Sequence, residues 1–91
     1  MIEDKASIAA LYRGAGQELE DWANKVEDLG AALCVDPHVI GMHFEQLQGL
    51  DLLAQILHEL AKVIASTDPL AATHNVCVQD LQQRLIQATQ K

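Results

Sequence analysis

Residues 47–64 read LQGLDLLAQILHELAKVI, and this stretch decides the fold. Its apolar side chains recur every three or four residues, which is the period of one face of an α-helix. The main stripe consists of Ile40, Phe44, Leu47, Leu50, Ala54, Leu57, Ala61 and Ile64, and a second stripe of Leu53, Ile56, Leu60 and Val63. Together they cover roughly 200° of the helix surface, which is wider than one partner helix can bury. We therefore predict at least two neighbouring helices, with Leu50, Leu57 and Ile64 buried.

An earlier segment carries the same kind of pattern. Its apolar residues, separated by four and three positions in turn, are Ile8, Tyr12, Ala15, Leu19, Trp22, Val26, Leu29 and Leu33. Two apolar positions in every seven are typical of helices that pack lengthwise. Gly14 and Gly16 should each weaken this helix by roughly 1 kcal/mol relative to alanine, so we expect a bend or fraying there.

Two Asp-Pro pairs indicate where helices restart. In Asp36-Pro37 and Asp68-Pro69 the aspartate can cap free N–H groups, while proline suits the first helical position. The predicted helices are about 3–34, 37–66 and 75–89, in a single domain that spans residues 1–91. The short connection between the first two requires antiparallel neighbours, so the sequence predicts an all-α fold with a long helical hairpin.

The third predicted helix is too short to cover such a hairpin completely. Two hairpins that pair into a four-helix bundle would bury the remaining apolar surface, so we predict a homodimer. The alternative is a monomeric three-helix bundle.

The overall charge is acidic. Thirteen acidic residues against six basic ones give a net charge of −7, and such a surface repels phosphate backbones and anionic lipid. We therefore expect neither nucleic acid nor membrane as a partner. Residues 1–4 lack the features of a secretory signal, so we expect a cytoplasmic location. Cys34 and Cys77 have no metal-site or disulfide spacing, and we expect both to be buried as small apolar side chains.

The polar side of the second helix contains the candidate functional residues. They are Gln48, Asp51, Gln55, His58, Glu59 and Lys62. Asp51, Gln55, His58 and Lys62 follow one another at spacings of four, three and four, so one side presents a carboxylate, an amide, an imidazole and an ammonium group. We expect Asp51, Gln55 and Lys62 to be exposed. A solvated face with ordinary ion pairs one turn apart would also explain the pattern.

Residues 50–57, LDLLAQIL, resemble the active-site segment of the CheZ-type phosphatases of bacterial chemotaxis. In that family an Asp-x-x-x-Gln motif lies on the polar face of one helix of a long hairpin, and two hairpins form a dimeric four-helix bundle. Asp51 and Gln55 match the motif. The similarity covers roughly twenty residues.

The residues around the motif also fit, with two departures. Gln48 corresponds to a glutamine shortly before the family's aspartate, and Ile56 and Leu57 correspond to the apolar pair after the catalytic glutamine. The chain, however, is less than half the length typical of the family. It also has no recognisable C-terminal tethering peptide.

The resemblance implies an aspartyl-phosphate phosphatase of two-component signalling, which acts on the receiver domain of a CheY-like response regulator. Gln55 would orient the attacking water, as glutamine does in GTPases, and Asp51 would pair with the regulator's lysine. Gln48, His58 and Lys62 are the expected partner-binding residues. No metal site or cofactor of the chain's own is implied, since the regulator supplies Mg²⁺.

Two other functions fit the sequence. His58-Glu59-Leu60 faintly resembles the phospho-accepting segment of histidine kinases and phosphotransfer domains, which also use helical hairpins. A non-enzymatic adaptor or inhibitor with acidic helices requires no motif at all. The sequence leaves both alternatives open.

Overall fold

The computed structural model describes residues 2–90, with side-chain surroundings for residues 5–90. Its helices are α1 (Ile2–Leu33), α2 (Pro37–Met42), α3 (Phe44–Ala65), α4 (Pro69–Ala72) and α5 (Gln79–Ala88), and a 3₁₀ turn (Thr73–Asn75) lies between the last two. No strand occurs within residues 2–90, so the predicted all-α class is confirmed. Within the same range, no helix is both long enough and apolar enough to cross a bilayer. Met1 and Lys91, the ends of the predicted domain, lie outside the described residues.

Both predicted Asp-Pro helix starts are confirmed. The Asp36 carboxylate accepts a hydrogen bond from the backbone N–H of His38 at 2.9 Å, and the proline between them begins α2. The Asp68 carboxylate accepts from the backbone N–H of Ala71 at 3.1 Å, and α4 likewise begins with proline. Each aspartate satisfies an N–H group that has no partner within its helix.

The predicted second helix is interrupted at His43, where the backbone leaves helical geometry (φ −130°, ψ 32°). Val39, Ile40 and Gly41 are weak helix formers, and α2 has no buried residue that would hold it in line with α3. The predicted third helix is also too long. Its first residues belong to the 3₁₀ turn and a bend, and α5 begins only at Gln79.

Helices α1 and α3 pack lengthwise in opposite directions through small residues. Gly16 lies against Ala61 and Ala65, and Gly30, farther along α1, lies near Asp51. The buried residues of the contact recur every seven positions, and they are Gly16, Ala23 and Gly30 on α1 and Leu47, Ala54 and Ala61 on α3. Small side chains let the two backbones approach closely, and α1 is continuous through both Gly14 and Gly16. Of the two glycines that were expected to weaken the helix, Gly16 is a packing position and Gly14 is exposed.

The buried face of α1 differs from the predicted stripe. Ala23 and Gly30, which are buried, directly follow Trp22 and Leu29, which remain 54% and 51% exposed. One residue corresponds to a rotation of about 100°, so the contact with α3 lies beside the stripe and not at its centre.

The predicted core of α3 is likewise partly wrong. Leu50, Leu57 and Ile64 are only half-buried, whereas Ala54 and Ala61 are 2% and 5% exposed. The reason is that the closest approach to α1 is made by alanine, and the larger side chains lie to one side of it.

The C-terminal segment covers one end of the α1–α3 pair. Val76 and Leu81 are buried, and the Gln82 side-chain amide donates to the carbonyl oxygen of Thr73 at 3.1 Å. An apolar cleft of about 480 Å³ lies between this segment and the α1–α3 pair, and its lining residues are Tyr12, Leu19, Leu60, Val63, Ile64, Pro69 and Leu85. Ten residues of α5 span about 15 Å. The described chain is 56 Å long, so most of the apolar stripe stays uncovered.

Cys34 and Cys77, which were predicted to be buried, are exposed free thiols. Cys34 follows the end of α1, and Cys77 lies between the 3₁₀ turn and α5. Both belong to connecting segments, which run over the surface, and this explains the error.

Candidate functional site

A shallow cleft on the polar side of α3 brings together Asp51, Gln55 and His58. Glu27 of α1 contributes to its lining, as does Ala54, and the cleft has a volume of about 230 Å³. Asp51 and Gln55 are exposed, as predicted from the helix periodicity. Because they are one helical turn apart, both can reach the same partner group in the cleft.

The small residues of the helix contact determine where the cleft lies. Ala54 packs against α1 and is only 2% exposed. It directly precedes Gln55 and lies three positions after Asp51. Gly30 of α1 lies close to this carboxylate, since a Cβ atom on Gly30 would be at an ordinary van der Waals distance of 3.9 Å from Asp51 Oδ1. The carboxylate of Asp51 can therefore lie alongside α1.

His58 joins the two helices through both of its ring nitrogens. Nδ1 lies 2.8 Å from Glu20 Oε1, and Nε2 contacts Glu27 Oε1. The two glutamates are seven residues apart on α1, which places them on one face of the helix about 10 Å apart along its axis. They bracket the imidazole, whose side chain is 24% exposed. We call these three residues the Glu-His-Glu bridge.

The bridge raises the pKa of His58 above its ordinary value of 6.5. The hydrogen bond to Glu20 is the largest cause and the one to Glu27 is next, while partial burial acts in the opposite direction. A protonated imidazole donates through both nitrogens, so it satisfies both carboxylates. A neutral imidazole has a single N–H, and one carboxylate then faces a lone pair.

The other two predicted partner-binding residues lie outside the cleft lining. Lys62 Nζ is 3.8 Å from Glu59 Oε1, and Lys62 lines a neighbouring groove together with Arg13 and Glu20. Gln48 is exposed on α3 but does not line the cleft. The structure thus brings three of the predicted site residues together and leaves two beside them.

Glu20 and Glu27 were not predicted as part of the site. The sequence does contain a signal for them, because a spacing of seven places both on the same side of α1. What it lacks is the register between the helices, which decides that His58 lies between them. In the part of the chain that the structure describes, no group of three or more His, Cys, Asp or Glu residues is arranged to hold a metal ion.

Comparison of the chain with protein-family models, with curated proteins and with solved structures finds no significant match. A functional assignment therefore depends on the chemistry of the cleft and on the motif formed by Asp51 and Gln55.

Proposed function

We propose that the chain accelerates the loss of the phosphoryl group from a phosphorylated response-regulator receiver domain. The observation that carries this proposal is the shared cleft, in which the carboxylate of Asp51 and the amide of Gln55 are both exposed on one helical face. The regulator would bring the aspartyl phosphate, its Mg²⁺ ion and a lysine to this face. In this arrangement the chain adds only an amide and a carboxylate.

The reaction is the hydrolysis of an acyl phosphate. Water forms a bond to phosphorus, the bond from phosphorus to the aspartyl oxygen breaks, and the products are a free carboxylate, inorganic phosphate and a proton. Gln55 orients the water in line with the leaving oxygen and adds no charge beside an anionic phosphoryl group. Asp51 pairs with the regulator's lysine, and this pair fixes the position of the cleft over the phosphate.

The proposal includes a homodimer in which two α1–α3 hairpins pair into a four-helix bundle. Its support is the apolar surface that the single chain leaves open. Ile8, Trp22 and Leu29 lie in one seven-residue register of α1 and are between 49% and 54% exposed. Among the described residues, no large apolar side chain is fully buried. A second copy would cover this register and increase the buried apolar area.

The exposed apolar residues also favour a second candidate function, a non-enzymatic adaptor. Phe44 and Leu52 on α3 are 56% and 49% exposed, and a partner protein can bind such residues without any reaction. The phosphotransfer alternative is less favoured, because both ring nitrogens of His58 are engaged by carboxylates and neither is a free nucleophile.

The test is to mix the chain with phosphorylated receiver domains from its own genome and to follow release of inorganic phosphate. We expect wild type to accelerate release from at least one regulator and Gln55→Ala to lose the effect. Gln46→Ala is the matched control, because Gln46 is also an exposed glutamine of α3 but does not line the cleft. Absence of acceleration with every regulator would overturn the phosphatase proposal, and binding without acceleration would favour the adaptor.

A further inference from the structure

Glu27 lines the same cleft as Gln55, yet a carboxylate at this place is unfavourable for the proposed reaction. The phosphoryl group of the regulator is anionic, and Gln55 is suited to it because the amide is uncharged. A free Glu27 carboxylate would bring a negative charge to the edge of the same cleft. At distances of a few ångströms such a charge changes affinities substantially.

The contact with His58 removes this conflict while the imidazole is protonated. One imidazolium between Glu20 and Glu27 gives the three groups a summed charge of −1, and loss of its proton makes that sum −2. Protonation also gives each carboxylate its own N–H donor, which keeps Glu27 directed towards His58.

We propose that Glu27 is a positioning residue controlled by His58, so that the cleft accepts an anionic phosphoryl group while His58 is protonated and disfavours it when His58 is neutral. This inference rests on the proposed phosphatase function and specifies its regulation. Glu27 does not touch the reacting atoms; it acts through the charge and direction of its carboxylate.

The other charged groups near the bridge come from the two helices that form it. On the cleft side, Asp51 of α3 lies near Gly30 and adds a further carboxylate. On the Glu20 side, Arg13 of α1 and Lys62 of α3 line the neighbouring groove. Lys62 Nζ is 3.8 Å from the buried Glu59, a further carboxylate of α3 beside His58. Among the residues that line the cleft, His58 is the one that can place a positive charge beside Glu27.

The experiment measures acceleration, defined as phosphate release with the chain divided by release from the regulator alone, between about pH 6 and pH 8.5. We expect wild-type acceleration to fall roughly tenfold across this range as His58 loses its proton. Glu27→Gln should remove the fall, so that its acceleration at the higher pH equals that of wild type at the lower pH. Glu18→Gln, a change at an exposed glutamate of α1 outside the cleft, is the matched control and should keep the wild-type profile.

Variants of His58 show whether the Glu-His-Glu bridge controls the charge of the cleft or only holds the two helices together. His58→Gln removes the imidazolium that compensates the charge of Glu27, so its acceleration should be low throughout. The double variant Glu27→Gln/His58→Gln should regain acceleration at every pH. If the bridge only held the helices together, both single variants would lower acceleration and the double variant would not regain it.

The possible failures can be told apart. Wild-type acceleration that does not change with pH, or a fall that persists in Glu27→Gln, overturns the inference and leaves the phosphatase proposal standing. Lack of acceleration at every pH overturns both. A separate nuclear magnetic resonance titration of His58 tests the bridge alone: its pKa should decrease in both Glu20→Gln and Glu27→Gln, and an unchanged value would contradict the bridge.

Discussion

Gly16 of α1 lies directly against the backbone of Ala61 in α3, because a Cβ atom at Gly16 would be only 3.0 Å from the Ala61 carbonyl oxygen. The same hypothetical atom would be 2.9 Å from the Cβ atom of Ala65. The two helices therefore meet here at nearly backbone-to-backbone distance. This contact also sets the register in which Glu20, one turn after Gly16, reaches His58.

Gly16→Ala should destabilise the chain, although alanine is the better helix former. We expect the free energy of unfolding to fall by about 1–3 kcal/mol, because overpacking outweighs the gain in helix propensity of about 1 kcal/mol. Gly14→Ala is the control, since no heavy atom lies within 4 Å of a Cβ placed there. It should raise the free energy of unfolding by about 1 kcal/mol. Urea unfolding followed by circular dichroism measures both, and equal effects of the two changes would contradict the close approach.

Stability should decrease as pH rises through the titration of His58. The pKa of His58 in the folded chain is raised above its ordinary value of 6.5, so the folded state binds the proton more tightly than the unfolded state. The resulting stabilisation is fully present below pH 6.5 and is lost as pH rises through the folded-state pKa. Urea midpoints measured on both sides of this range should show the loss in wild type and not in His58→Gln. His74→Gln, a change outside the bridge, should retain it, and a wild-type midpoint that rises with pH would exclude the bridge.

Gln55→Ala and Asp51→Ala should affect the proposed reaction differently. Gln55→Ala should abolish acceleration and leave binding to the phosphorylated regulator nearly intact, because the amide orients water. Asp51→Ala should weaken binding as well, because it removes the charge pair with the regulator's lysine. Both residues are exposed, so each change should alter the free energy of unfolding by less than about 0.5 kcal/mol.

Phosphate release and surface plasmon resonance together measure these two effects. A phosphotransfer protein that uses His58 would give the reverse result: Gln55→Ala would be harmless, and the phosphoryl label would appear on the chain itself.

The chain should be a dimer. A charge introduced into the exposed apolar register of α1, formed by Ile8, Trp22 and Leu29, should dissociate it. Light scattering at micromolar concentration should give twice the monomer mass of 9.9 kDa for wild type and the monomer mass for Trp22→Glu. Val35→Glu is the control, because Val35 is 82% exposed in the connection after α1 and lies outside the register. A wild-type mass of 9.9 kDa with full helicity would rule out the four-helix bundle.

The sequence by itself determined the features that depend on near neighbours in the chain. Periodicity of three and four residues predicted the helices, and the carboxylates of Asp36 and Asp68 predicted two of their starts. The exposure of Asp51 and Gln55 was also predictable, since a spacing of four residues is close to one helical turn and places both on the polar side of the helix. These properties arise from backbone geometry within a single helix, so no knowledge of its partner is required.

Only the tertiary structure decided how each helix is rotated about its own axis and which residues meet between helices. The apolar stripe of α1 does not show that the contact with α3 lies beside it, and glycine carries no hydrophobic signal, so the burial of Gly16 and Gly30 could not be predicted from periodicity. His58 lies 31 residues from Glu27 along the chain. A slip of one residue between α1 and α3 would rotate both glutamates by about 100°, away from the imidazole. The close packing of small residues selects the observed register, and that register places the carboxylates of Glu20 and Glu27 beside His58.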